Sequence, residues 1–322
     1  MSVATARQAF FEVARSEGAR YLFTNPGTTD PAVLRARVIG GLSGSPAPIL
    51  IKEDMKTPHS LQGSVGIGHQ FTDAFGLNVD YVRQHMINIY VQRNPNYLDK
   101  TVTPNVRKLT PAYGDIILWD DIGVADYSAM LVQGTWQRDQ TRVNLAYTLG
   151  YYQGNFDTSG LPNFAYPFLF DRQRTSLDER HRVVLSDVTP IPLGFTFASI
   201  ITIASPRPFV TTDGRDINLD NITGDDYPGG TVNSTGTRVT QPSNAWRNWY
   251  RTVDLRLARS IVNASGKKVS LIGEVFNVFN WNNNLTYGST QFNSAGGPVA
   301  TFGIPTGAYG ARQGQVGMRV EW

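Results

Sequence analysis

From about residue 60 to the C-terminus, apolar side chains recur at every second position, and this period of two constrains the fold more than any other feature. Leu61, Val65, Ile67 and Phe71 alternate with Gln62, Ser64, Gly66 and Gln70; Leu77, Val79 and Tyr81 alternate with Asn78 and Asp80. Met130, Val132 and Trp136 follow, and then the clearest case: Val143, Leu145, Tyr147, Leu149 and Tyr151, set between Arg142, Asn144, Ala146, Thr148 and Gly150. The pattern returns in Phe195, Phe197, Ile201 and Ile203, in Val253, Leu255 and Leu257, and in Val269, Leu271 and Val275. It closes on Val316, Met318, Val320 and Trp322. Residues 180–189 read as a strand whose buried face the pattern leaves ambiguous. Alternation of this kind gives a pleated strand one apolar and one polar face.

No stretch reaches the ~20 consecutive apolar residues of a membrane-crossing helix. Phe195 to Ala204, one of the longest apolar runs, is interrupted by Thr and Ser. A membrane-crossing strand needs only about 9–11 residues, apolar on one face. A helical membrane protein is therefore excluded and a β-barrel is not. The 31 Gly, 14 Tyr, 16 Phe and 6 Trp suit a barrel.

Loop lengths alternate as well. Short turns fall near 72–76, 138–140, 190–194 and 263–267, and long connections near 92–126, 153–179, 206–249 and 282–310. Long irregular loops are uncommon in compact soluble domains. Short turns at one end and long loops at the other are the asymmetry of an outer-membrane barrel. A soluble β-sandwich can alternate too, but four long loops of one parity favour the barrel. The expected fold is all-β: an antiparallel transmembrane β-barrel portion of about nine strands over 41–322, after a short α/β-like segment over 1–40.

That first segment has a different period. Phe10, Val13 and Ala14 lie at helical spacing and Gly18 stands where a helix would stop. Tyr21-Leu22-Phe23 reads as a short buried strand, Asn25-Pro26-Gly27 as a turn, and Thr28-Thr29-Asp30-Pro31 as a helix start. Charges at Arg7, Glu12, Arg15, Glu17 and Arg20 leave no apolar stretch for a secretory signal. The chain is on this ground expected not to be a complete natural gene product.

Composition removes several function classes. A net charge of +3 with 17 % charged residues gives no basic patch for a nucleic-acid partner. The absence of cysteine excludes disulfides, thiolate metal sites and cysteine nucleophiles. His59, His69, His85 and His181 are too scattered for a metal-ligand motif, and no nucleophile elbow, phosphate loop or HExxH occurs. No cofactor and no enzymatic activity are expected. His181, among Asp178, Arg180 and Arg182, is expected in a lumen or rim ion-pair network; Arg256 and Glu274 fall on the polar parity of their strands. Asp216, Asn218 and Asp220 place oxygen ligands at alternate positions, as a calcium loop does, with Asp213, Asp225 and Asp226 nearby. Against that reading, Asn221 replaces the turn glycine and Tyr227 stands where a bidentate carboxylate belongs. A solvated acidic external loop is the competing reading.

Several short runs occur in a recognisable order. They are Lys56 to Gln62, Asp178-Glu179-Arg180-His181-Arg182, Ser205-Pro206-Arg207-Pro208-Phe209, Asp213 to Asp220, Val253 to Leu257, Glu274 to Asn280, and Gly310 to Gly317. Together they resemble the C-terminal barrel region of TonB-dependent outer-membrane receptors, in the subfamily that carries a carboxypeptidase-regulatory-like domain. The terminal row Val316, Met318, Val320 and Trp322 resembles the signal read by the barrel-assembly machinery. The resemblance implies location in the outer membrane, contact with its lipid, and uptake of a bulky scarce nutrient. TonB coupling is implied only for the full-length receptor, since plug and coupling box are not recognisable here. About nine strands of a wall that in such transporters has about 22 should form an open curved sheet.

Ala9-Phe10-Phe11-Glu12 and Glu17 to Thr29 resemble instead the opening of thiamine-diphosphate enzymes of the benzoylformate decarboxylase type. Ile49 to Glu53 is faintly like the strand that brings the activating Glu in that family. The small-residue helix that should follow is missing. Residues 1–40 are therefore expected to be a foreign or misassembled leader, with 1–34 outside the wall. A soluble or surface β-rich binding module and, further behind, a thiamine-diphosphate-binding lyase are the alternatives.

Overall fold

The computed structural model describes residues 47–156, 172–231, 236–262 and 268–321, together with the backbone of 19–23. Nine long strands form one antiparallel meander: β1 (His59–Thr72), β2 (Phe75–Arg93), β3 (Ile117–Arg138), β4 (Thr141–Gly154), β5 (His181–Ile191), β6 (Phe195–Ala204), β7 (Tyr250–Val262), β8 (Lys268–Phe276) and β9 (Gln313–Glu321). Each pairs with the next in sequence. No ladder joins β1 to β9 among the described residues, so the sheet is open. Both edge strands are exposed along nearly their whole length.

Cross-strand register turns the local alternation into two continuous faces. Ile67, Val79, Val132, Tyr147, Val183 and Ile203 are successive neighbours across six strands. Leu145, Leu185, Ile201 and Val253 form the adjacent row. The opposite face carries Asn78, Gln133, Ala146, Val184, Thr202 and Thr252 in one row, and the linked side chains of Arg256, Glu274 and Gln315 in another. Register thus settles the ambiguous strand: Val183 and Leu185 lie on the apolar face, Arg182, Val184 and Val188 on the polar one.

The apolar face has one acidic interruption in its middle. Asp187 is flanked by Val143 and Ser199, and the Ser199 hydroxyl donates to its carboxylate. At the turn end of this face stand Phe71 and Phe75, stacked at 5.7 Å, with Trp136, and Phe195 under the Arg259 guanidinium. At the loop end Tyr147, His181 and Trp249 stack in series at 6.2 and 6.3 Å. Two aromatic belts bounding an apolar band mark the interfaces of a membrane-spanning wall.

The strands are staggered. One row runs Phe75, Trp136, Val143, Asp187, Ser199, Leu255, Val275. The short-turn end of the sheet lies at Phe75 itself, two residues past Trp136 at Arg138, four past Asp187 at Ile191 and seven past Leu255 at Val262. That drift of about one residue per strand is the shear of a tilted barrel wall.

Short and long connections alternate as the sequence implies. Asp73-Ala74, where Thr72 Oγ1 accepts from two backbone N–H groups, and Asp139-Gln140, with Asp139 at φ 53°, make two of the tight turns. The connections at the other end are 94–116, 155–180, 205–249 and 277–312. The β2–β3 hairpin reaches farther than periodicity suggests, because Val91, Ala125 and Phe156 pack together above the wall and Leu50, Ile116 and Leu118 form a second cluster. Ile49–Lys52 runs parallel to Ile117–Trp119 and is anchored by Lys52 Nζ on Asp121 (2.6 Å) and Asp120 (3.1 Å). Ala19–Phe23, inside the segment expected to stand apart, is a strand whose backbone pairs with Ile49–Lys52. The readings of Phe10 to Gly18, of the turn at 25–27 and of Trp322 lie outside the described residues.

Two outcomes check this geometry. Labels at Val143, Leu145, Tyr147 and Leu149 should be quenched by lipid-soluble quenchers, and labels at Arg142, Asn144 and Thr148 should not; equal quenching would refute the assignment of faces. Asp187→Asn keeps an acceptor for Ser199 and removes an acid from the lipid side, so it should raise stability to urea by roughly 1 kcal/mol. A lowered unfolding midpoint would remove Asp187 from the hydrocarbon.

Candidate functional site at the loop end of the polar face

The long connections form one layer over the loop end of the sheet. Each is built on buried side chains that satisfy irregular backbone. The Asn96 amide accepts from Leu109 N and Thr110 N, both at 2.9 Å, and donates to Gly114 O at 2.8 Å. Lys100 joins the first loop to the third, through Asp216 at 2.6 Å and the Leu219 carbonyl at 2.8 Å. Buried Arg238 joins the third loop to the second through the Gln173 and Gly154 carbonyls. Thr212–Asp213 pairs with Thr290–Phe292 and so joins the third loop to the fourth.

Under this layer, at the loop end of the polar face, lies a cleft of about 260 Å³. Its wall is Arg182, Thr202 and Tyr250, neighbours on β5, β6 and β7, and its cover is Asn284, Leu285, Tyr287 and Tyr309 of the fourth loop. Glu179 accepts from Arg182 Nε at 2.7 Å and from Arg207 Nε at 3.1 Å. Tyr250 and Tyr309 meet edge to face at 5.2 Å. Asn283 holds the cover to β7 by accepting from Arg251 N and donating to Arg251 O. Burial raises the Tyr287 hydroxyl above the usual tyrosine range, so it stays a neutral donor at physiological pH.

Side-chain contacts divide the Asp178 to Arg182 run, whose first three residues precede β5, into two networks. Glu179 and Arg182 serve the cleft, whereas Asp178 takes Arg174 and Arg180, and Arg180 lies 3.9 Å over the Tyr151 ring on the apolar side. His181 joins neither, which corrects the expectation for it: its ring bonds the Tyr147 hydroxyl at 2.9 Å within the outer aromatic belt. Arg256 and Glu274 do pair on the polar face, at 3.3 Å. Val316, Met318 and Val320 form the exposed apolar row of β9.

Asp216, Asn218 and Asp220 come together, but as a turn network. Asp216 accepts from Lys100, Asp220 N and Asn221 N; Asn218 donates to Asp220; Asp220 accepts from Ile222 N. Their oxygens point at donors, and among the described residues no group of three His, Asp or Glu is placed to hold a metal ion. Burial, reinforced by neighbouring carboxylates, pushes Asp220 and Asp226 up to about 6. A carboxyl raised in the folded state lends stability below its unfolded value near 4, and this is lost as pH rises through about 6. Cleavage within 213–226 by a protease corrected for its own pH profile should therefore be faster at pH 7.5 than at pH 5. Asp226→Asn should flatten that difference, and equal cleavage at both pH values would contradict it.

A family model described as "Outer membrane beta barrel domain" matches residues 8–315. No curated protein matches the chain. Among solved structures, the outer membrane transporter YddB from Escherichia coli is similar at a TM-score of 0.56 and 12% identity, over 85% of this chain and 34% of that one. The FrpB iron transporter from Neisseria meningitidis aligns at a TM-score of 0.45 and 11% identity, over 84% and 32% of the two chains. The chain thus spans about a third of the length of these solved structures. With an apolar band between aromatic belts and a match over nearly its full length, this chain belongs to the outer membrane beta barrel domain family.

Proposed function

We propose that the chain is the C-terminal part of a TonB-dependent outer-membrane receptor for a bulky scarce nutrient, and that it does not transport alone. One observation carries this reading: the sheet is staggered like a barrel wall yet stays open after nine strands. β1 and β9 both run from the loop end to the turn end, so direct closure would pair them in parallel. Antiparallel closure requires an odd number of further strands between them, and a wider barrel follows from a larger strand number. In lipid each unpaired N–H or C=O at an edge costs several kcal/mol, which favours completion by further strands.

In the completed receptor the loop layer and the cleft below it face the outside medium, where the nutrient is captured. TonB coupling belongs to that receptor. The exposed row Val316, Met318 and Val320 is the feature the barrel-assembly machinery would read. The role proposed for the completed receptor is transport, without catalysis.

Gel migration of the chain in detergent, unheated and boiled, tests the reading. The chain alone should partition into detergent and give no compact heat-modifiable band. A compact band would show self-closure and overturn the partial-barrel reading; partition into the aqueous phase would favour a soluble β-rich module.

A further inference from the structure

We infer that the cleft at the loop end of the polar face binds an oxyanion, a carboxylate or phosphate group, through Arg182 and Arg207. The inference rests on the receptor reading above and names the class of ligand.

Charge comes first. Two guanidinium groups and one carboxylate, Glu179, line the cleft, and no second acidic side chain does so among the described residues. One positive charge is left over. Glu179 holds each arginine through Nε, at 2.7 and 3.1 Å, with Arg182 Nη2 a further 3.5 Å contact. Among the described residues, Arg182 Nη1 and both terminal nitrogens of Arg207 have no protein partner, and the two side chains are 40% and 51% exposed. Glu179 therefore orients the two guanidinium groups from behind and leaves their outer N–H groups to the cleft. Planar guanidinium donors lining one cleft suit a carboxylate or phosphate, which they meet with charge-assisted hydrogen bonds.

The rest of the lining is neutral and polar. Asn248, Asn284, Thr202, Ser205 and the tyrosine hydroxyls can meet hydroxyl or amide groups around the anion. A cation is disfavoured by the surplus charge. An uncharged sugar would leave that charge without a counterpart.

Titration calorimetry on the full chain in detergent, with citrate, inorganic phosphate and maltose as probes, tests this. Citrate or phosphate should bind and maltose should not, and the preferred anion separates a carboxylate ligand from a phosphate one. Arg207→Gln, on an exposed loop, should weaken binding roughly tenfold, the loss of one charge-assisted contact. Arg182→Gln should do the same, and added salt should weaken binding to the unaltered chain. Circular dichroism checks that each variant keeps its β-sheet. Overturning results are no anion binding by a folded chain, maltose binding as strongly as citrate, or unchanged binding in folded Arg207→Gln. Each leaves detergent partitioning untouched, so failure here is distinct from failure of the receptor reading.

Discussion

In a bilayer no water is available to an unpaired backbone N–H or C=O, and that requirement shapes every part of this chain that crosses the membrane. The meander answers it strand by strand, since each long strand lies in antiparallel register with its neighbour in sequence. Once the ladders are set, the remaining features follow from geometry. Period-two alternation becomes two faces, and the drift of the turns by about one residue per strand becomes the tilt of a wall. Among the described residues the long strands leave it unmet at the outer edges of β1 and β9, where the ladder ends.

Above the wall the same backbone demand is met by different means. The loops lack long ladders, so buried Asn96, Asn94 and Arg238 bond to main-chain groups that would otherwise be stranded. Among the described residues such a layer is held by hydrogen bonds more than by apolar packing; its buried apolar clusters are Leu50, Ile116 and Leu118, and Val91, Ala125 and Phe156. Burying acids there has an electrostatic consequence. Asp220 and Asp226 lose hydration, accept from uncharged N–H groups of Asn218 and Ile222, and rise to about 6, whereas Asp121 accepts from the Lys52 ammonium at 2.6 Å and the Lys56 N–H at 2.7 Å.

The candidate site was only partly legible. Its charged members stand in two runs singled out by resemblance, Asp178 to Arg182 and Ser205 to Phe209, but periodicity could not divide the first between two faces. Tyr250, Tyr287 and Tyr309 carry no local signal, because aromatic residues are common throughout the chain and their meeting depends on the fourth loop folding back over β7. The acidic triplet likewise depends on partners distant in sequence. Its spacing suggests ligands, yet Lys100 and nearby N–H groups occupy the oxygens, and Lys100 lies 116 residues away in sequence.

What the residues determined by themselves was the class of structure: strict alternation, turn residues and the parity of loop lengths depend on neighbours within a few positions, and they specify antiparallel strands with one apolar face. Tertiary structure decided what depends on register. The face taken by 181–191, the placement of Asp187 against Ser199, the stagger of the turns and the gathering of Arg182, Arg207 and the tyrosines into one cleft all follow from pairings between strands far apart in sequence. A shift of one residue in any ladder would exchange the faces, and no local pattern carries that information.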